Sequence, residues 1–172
     1  MSHPIMIRPA RQADADALAE IYGAHVLHGT ASFEIDPPDA EEMRVRLATV
    51  NSRGWPWLVA EREGAVIGYA YCSRFHTRHA YRFTCENSIY VHRDRVGAGT
   101  GRALLVALMD RARDDGFREM IAVIGDADNV ASIGLHLALG FEHAGMIRRV
   151  GYKFDRWLDV IYMQKRLIED PA

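Results

Sequence analysis

The chain has 172 residues, 49% of them hydrophobic, and a formal net charge of −2. That suits one globular domain over 1–172 with a sizeable core, and it excludes the global basic field that recruits nucleic acid. Two cysteines, Cys72 and Cys85, form no disulfide framework and no apolar run reaches membrane-spanning length; with no apolar signal-peptide core at the N-terminus, a cytoplasmic setting with no membrane partner is expected.

Ile5 to Arg8 reads as a short strand ended by Pro9, and Ala13 to His28 as a helix with Leu18, Ile21, Tyr22 and His25 on one side. His25 and His28 stand at i,i+3, but a metal site needs more ligands and none is in view, so no metal is expected. An extended loop, Thr30-Ala-Ser-Phe33-Glu-Ile-Asp-Pro37-Pro38, follows. Asp39 with Glu42 then resembles a capping box for a helix to about Ser52. Trp57 to Glu61 and Ala65 to Phe75 read as a hairpin about Glu63-Gly64. The next nine residues, Arg74 to Arg82, hold three arginines, two histidines and two aromatics. This is either a solvated rim or a site for a small anion, since Arg presents a planar fork to carboxylate or phosphinate oxygens.

Glu86 to Val91 reads as a strand, and a helix opens at Thr100 with Leu104, Leu105, Leu108 and Met109 at helical spacing. Between them lie Gly97, Gly99 and Gly101. A strand, a glycine-rich turn and a helix N-terminus make a phosphate cradle, because free backbone N–H groups and the positive helix end face the anion. The alternative is a flexible surface loop. The nucleotide patterns do not fit: Arg102-Ala103 stands where a P-loop needs Lys and a hydroxyl, and the spacing is not that of a dinucleotide fingerprint. The helix ends near Asp115, with Gly116 as its cap. Arg118 to Ile124 is a buried strand, Ala131 to Leu139 a short helix stopped by Gly140, and Phe141 to Met146 with Trp157 to Gln164 a closing antiparallel pair. The fold class is therefore α/β of the α+β type, a mainly antiparallel sheet with helices on both faces.

The stretch YVHRDRVGAGTGRALL resembles the acetyl-CoA pyrophosphate loop of the GNAT N-acetyltransferases. The family motif is Gln/Arg-x-x-Gly-x-Gly/Ala; Gly99 and Gly101 match its glycines, and Val96 replaces its first residue. The element order matches the family too, which implies a twisted sheet of about seven strands flanked by about four helices. Within the superfamily the whole chain resembles the phosphinothricin and methionine sulfoximine N-acetyltransferases. That likeness rests on Thr30-Ala-Ser-Phe33, Arg78 with Ala80-Tyr81, Glu86 and His136. It rests most on the tail, Gly151-Tyr-Lys153-Phe-Asp-Arg-Trp157-Leu-Asp159-Val-Ile-Tyr-Met-Gln164, which separates this branch from ribosomal-protein and aminoglycoside acetyltransferases.

The resemblance implies acetyl-CoA as cosubstrate, held by Ile89, Tyr90 and Val91, by the loop residues Val96, Gly97, Ala98, Gly99, Thr100, Gly101 and Arg102, and by Asn129 and Ser132. It implies a homodimer and a small amine substrate walled by Phe33 and Trp157. Arg74, Arg78 and Tyr81 would hold the anionic head group. Glu86 is the expected general base, since a partly buried carboxylate titrates in a useful range. A backbone N–H near Tyr90 or Val91 would face the thioester oxygen. His136, or less favourably Tyr162, would serve the departing thiolate; a lone His on an apolar helix is otherwise a packed core residue. Two other readings stay open. One is a protein or peptide N-acetyltransferase, and the other a non-catalytic CoA-binding module.

Overall fold

A computed structural model describes residues 3–168 of the chain. The outer ends of the expected 1–172 span, residues 1–2 and 169–172, lie outside the described residues. The elements follow the expected order: β1 (Met6–Pro9), α1 (Ala15–His28), α2 (Ala40–Ser52), β2 (Trp57–Arg62), β3 (Ala65–Arg74), β4 (Thr84–Val91), α3 (Thr100–Asp114), β5 (Glu119–Gly125), α4 (Val130–Ala138), β6 (Glu142–Lys153) and β7 (Arg156–Arg166). Local chemistry accounts for several boundaries. Asp39 caps α2 by accepting from the Glu42 N–H at 2.8 Å. Glu63 and Gly64, at φ 55° and 77°, make the tight two-residue turn of the β2–β3 hairpin. Gly116 stops α3 at φ 91°.

One seven-stranded sheet runs through the molecule in the order β1-β2-β3-β4-β5-β7-β6. Every pair is antiparallel except β4 with β5. Apolar faces cover it on both sides. Leu104, Leu105 and Leu108 of α3 pack with Met120 and Met163 on one face. Leu18 and Ile21 of α1, with Met43 and Leu47 of α2, pack against Val59 and Tyr69 on the other. Each such fully buried side chain contributes roughly 1.5–3 kcal/mol relative to exposure, so the sheet is held rigidly from both sides.

The expected closing strand, Phe141 to Met146, is too short. The real β6 continues to Lys153 across two register shifts, between His143 and Gly145 and between Ile147 and Gly151. Arg149 sits at φ 53° in the second shift, and its N–H is taken by Asp159 at 2.8 Å. A bulge breaks the period of two, so the mixed run Ile147 to Lys153 gives no alternating strand pattern.

The β4–β5 ladder positions the site. It runs from Thr84–Glu119 to Asn87–Ala122 and stops there, while β3 pairs with β4 as far as Val91. Beyond Asn87 the two parallel strands diverge and open a cleft at their carboxyl ends, where sheets of this kind receive ligands.

Candidate active site

Three connected spaces follow the divergence. The cleft itself encloses about 50 Å³ between Asn87–Tyr90 on one side and Ala122–Gly125 on the other, with His136 at its back. Toward the glycine loop it meets a groove of about 340 Å³ lined by Val91, Val96, Thr100, Asn129 and Ser132. On the other side lies a pocket of about 440 Å³ lined by Ser32, Phe33, Glu34, Tyr71, Glu86 and Ser88. Ala31 borders all three, and Tyr90 borders the cleft and the pocket.

The groove carries the chemistry of an anion site. Gly97 and Gly99 adopt φ 77° and 80°, the left-handed conformation that favours glycine. Gly101 has a different role: a Cβ there would stand 3.3 Å from Cδ2 of Leu135, so it lets α3 and α4 approach. The first helical hydrogen bond of α3 runs from the Ala103 N–H to the Gly99 carbonyl at 3.0 Å. The N–H groups of Thr100, Gly101 and Arg102 therefore point out of the helix end toward the groove. The Thr100 hydroxyl is buried with no hydrogen-bond partner among the described residues. A phosphate held at this helix end fits both the free amides and that hydroxyl. Ala98, by contrast, is exposed and does not line the groove. Asn129 caps α4 by accepting from the Ser132 N–H at 3.2 Å, which leaves its amide NH₂ for a ligand.

Glu86, Ser88 and Tyr90 alternate along β4 and so face the pocket together. Glu86 is half-buried and makes no ion pair among the described residues; burial raises its pKa above the usual carboxylate value. Glu34 is the pocket's second carboxylate, and Arg46 holds it at 2.8 and 3.3 Å. The floor is aromatic: Tyr71 stacks on Trp57 at 4.3 Å, and Tyr90 meets Tyr22 edge-on at 4.9 Å.

His136 takes the other side of β4. Its Nδ1 lies 2.8 Å from the Ser132 carbonyl and its Nε2 3.1 Å from Oδ1 of Asn87, whose NH₂ donates to the Ile121 carbonyl at 3.2 Å. Both neighbours of the ring are acceptors, so both bonds form only when it carries two hydrogens. Burial opposes that state and lowers its pKa.

The basic loop stands apart from the pocket. Ser73 lies opposite Glu86 and Arg74 opposite Cys85, so the chain leaves the sheet one residue beyond Glu86. Arg74 donates to the Thr77 carbonyl at 3.1 Å, and Phe75, His76 and Tyr81 pack on one another. Arg74, Arg78 and Tyr81 do not line the pocket, and neither do Trp157 and Tyr162. Sequence reasoning missed Glu34, Tyr71, Ser88 and Val160. The period-two pattern of β3 and β4 signals Tyr71 and Ser88; Glu34 gives no local signal.

Residues 7–162 match the model of the acetyltransferase (GNAT) domain, and the chain belongs to that family. It is similar to a phosphinothricin N-acetyltransferase of Alcaligenes faecalis, 49% identical over 161 residues that cover 94% of this chain and 82% of the relative. It is similar also to an L-methionine sulfoximine/L-methionine sulfone acetyltransferase of Salmonella typhimurium, 42% identical over 96% of each chain. Among solved structures, a Sinorhizobium meliloti phosphinothricin acetyltransferase in complex with acetyl-CoA matches with a TM-score of 0.92 and 48% identity, over 94% of this chain and 88% of that one. A ribosomal-protein-alanine N-acetyltransferase of Brucella melitensis matches with a TM-score of 0.91 and 42% identity, over 94% and 99%. The chain is thus an N-acetyltransferase with acetyl-CoA as its cosubstrate.

The groove yields a direct test. Gly99→Asp places a carboxylate at the helix end, and Gly99→Ala, which carries the same left-handed strain without the charge, is its control; Gly101→Asp would instead crowd Leu135. Gly99→Asp is expected to weaken acetyl-CoA binding by about tenfold or more in calorimetry with an unchanged circular dichroism spectrum. Unchanged affinity would mean that the loop does not hold the pyrophosphate.

Proposed function

We propose that the protein acetylates the α-amino group of a small amino-acid analogue of the phosphinothricin, methionine sulfoximine or methionine sulfone type. The observation that carries this reading is Glu86. It is a half-buried carboxylate of raised pKa, at the wall of a pocket that meets the cleft beside Tyr90. Glu86, which has no ion pair among the described residues, suits an ammonium group, and the pocket's aromatic floor adds favourable ring faces. When bound, acetyl-CoA supplies the acetyl thioester as acyl donor. Glu86 takes a proton from the substrate ammonium, directly or through one water, and frees the nitrogen lone pair. The β4 backbone near Tyr90 and Val91 offers an N–H to the cleft, and Asn129, Ser132 and the glycine loop orient the cosubstrate. His136, which lines the cleft where Tyr162 does not, holds a proton on the thiol side. The anionic head points outward to Arg78 and Tyr81, with Arg74 beside them.

The names of the relatives support a small amino-acid analogue, while the Brucella melitensis match keeps a polypeptide amine as the second reading. Acetyl-CoA turnover with methionine sulfoximine, phosphinothricin, free amino acids and a peptide panel separates the two. The same reading has a homodimer in the cytoplasm. The outermost strand, β6, exposes Met146, Ile147, Val150 and Tyr152, an apolar edge that pairing with a second copy would cover. No helix among the described residues is long and apolar enough to cross a membrane. Light scattering at micromolar concentration is expected to give twice the chain mass, and a monomer mass refutes the dimer.

Glu86→Gln is expected to lower kcat by roughly a hundredfold or more while leaving acetyl-CoA affinity intact. The acid limb of the wild-type kcat/KM profile should lie above the usual carboxylate pKa, and the variant should lose it. Stability carries the same sign. A carboxyl whose folded pKa is raised costs stability when ionised, fully above the folded pKa and not at all below the unfolded one. The Tm gain from Glu86→Gln should therefore be larger at pH 8 than at pH 4. Near-normal turnover across the pH range would remove Glu86 from the role of base.

Arg78→Ala is expected to raise the KM for the amine several-fold, with a smaller effect on kcat, because it removes binding common to ground and transition states. An unchanged amine KM returns the basic loop to a solvated rim.

A further inference from the structure

The tail motif Gly151-x-Lys153 lies outside the chemistry derived above, yet it touches the pocket wall. Gly151 and Lys153 alternate on β6 and face the 29–34 loop, while Tyr152 between them meets Trp157 at 5.2 Å. The Lys153 side chain is buried, and its ammonium donates to two carbonyls of that loop, Gly29 at 3.0 Å and Ser32 at 2.7 Å. Phe33 lies against glycine backbone on two strands. A Cβ on Gly151 would overlap Cε2 of the Phe33 ring outright and stand 2.6 Å from its Cδ2. A Cβ on Gly125 of β5 would stand 2.7 Å from Cε1 of the same ring and 2.5 Å from the Thr30 carbonyl. Neither glycine has a left-handed φ, so space alone requires them. The far side of the loop is tied as well: Tyr22 and Ser32 hydroxyls lie 2.8 Å apart, and Arg46 grips Glu34.

We propose that Gly125, Gly151 and Lys153 form a socket that seats the 29–34 loop and fixes the Phe33 ring as a wall of the amine pocket. They are positioning residues, and they set amine selectivity through Phe33. The two glycines supply the ring's slot, and the ammonium holds the carbonyls on either side of Ala31, the residue at which pocket, cleft and groove meet. The assignment of selectivity rests on the acetyltransferase reading of the pocket; the socket itself does not.

The test is a double-mutant cycle on the full chain, with Phe33→Ala, Gly151→Ala and both together, plus Lys153→Met. Tm, amine KM and acetyl-CoA KM are read for each. Gly151→Ala should lower Tm and raise the amine KM by about tenfold, with acetyl-CoA KM within about twofold. Removing the ring should relieve the clash, so the double variant should match Phe33→Ala in Tm and amine KM. Lys153→Met should raise the amine KM and spare that of acetyl-CoA. Additive losses in the double variant, or a wild-type amine KM in Lys153→Met, overturn the proposal. So does an acetyl-CoA KM that moves as far as the amine's. If Gly151→Ala does not fold, the double variant should fold, and its failure to do so also overturns it. If the wild type acetylates none of the amines offered, the Tm cycle still decides the socket, and only the reading of the pocket falls.

Discussion

The divergence of β4 from β5 after Asn87–Ala122 is the constraint on which the site depends. A parallel ladder that ended without compensation would leave buried amide groups unpaired, at about 1–3 kcal/mol each. The chain replaces the lost ladder with a side chain. The Asn87 amide bonds the Ile121 carbonyl across the fork, and His136 of α4 closes over the same amide. Apolar layers on both sheet faces hold the rest of the sheet against its helices. The opening is thus local, and the cleft has rigid walls.

The fork also separates two opposite electrostatic demands. On one side, free helix N–H groups and the unpartnered Thr100 hydroxyl await negative charge. On the other, Arg46 already answers the charge of Glu34, while Glu86 faces the pocket beside Tyr71 and Tyr90 with no ion pair among the described residues. These fields suit an acyl donor carrying a pyrophosphate at one end and an acceptor carrying an ammonium at the other, with the narrow cleft between them. Burial raises the pKa of Glu86 and of Tyr71 and Tyr90 alike, so the acceptor end favours neutral forms of its acids and gains from a cation entering.

Much of this architecture was legible in the sequence because it is locally encoded. The glycine loop, the capped helices and the Glu63-Gly64 turn each follow from a few adjacent residues, and the order of elements came out whole. What escaped depends on distance in the chain. The Lys153 ammonium meets a carbonyl 124 residues away, and Gly151 is a glycine because of a phenylalanine at position 33. Neither fact has a periodicity. The length of β6 escaped for a related reason, since its bulge at Arg149 is stabilised by Asp159 on the next strand. The basic loop is the converse case: its composition is plain in the sequence, but its placement beside the pocket rather than in its lining depends on the fold, with Phe75, His76 and Tyr81 packed on one another and Arg74 bonded within its own loop.

The contrast between Glu86 and His136 shows why residue type alone does not choose the base. Imidazole has the pKa suited to proton transfer near neutrality, and His136 lines the cleft. Yet it is 1% exposed, and acceptors confront both of its nitrogens. The Asn87 amide cannot turn to offer its NH₂ without placing Oδ1 against the Ile121 carbonyl. A neutral ring therefore leaves one contact unmade, and a protonated ring suffers burial without a counter-ion. Neither form presents a free lone pair to the acceptor pocket. Glu86 has the reverse situation, with no ion pair among the described residues, an open side toward the pocket and a pKa raised by burial. Of the two, only Glu86 combines an open face toward the pocket with a raised pKa, which is why the proposed base is the carboxylate and not the imidazole.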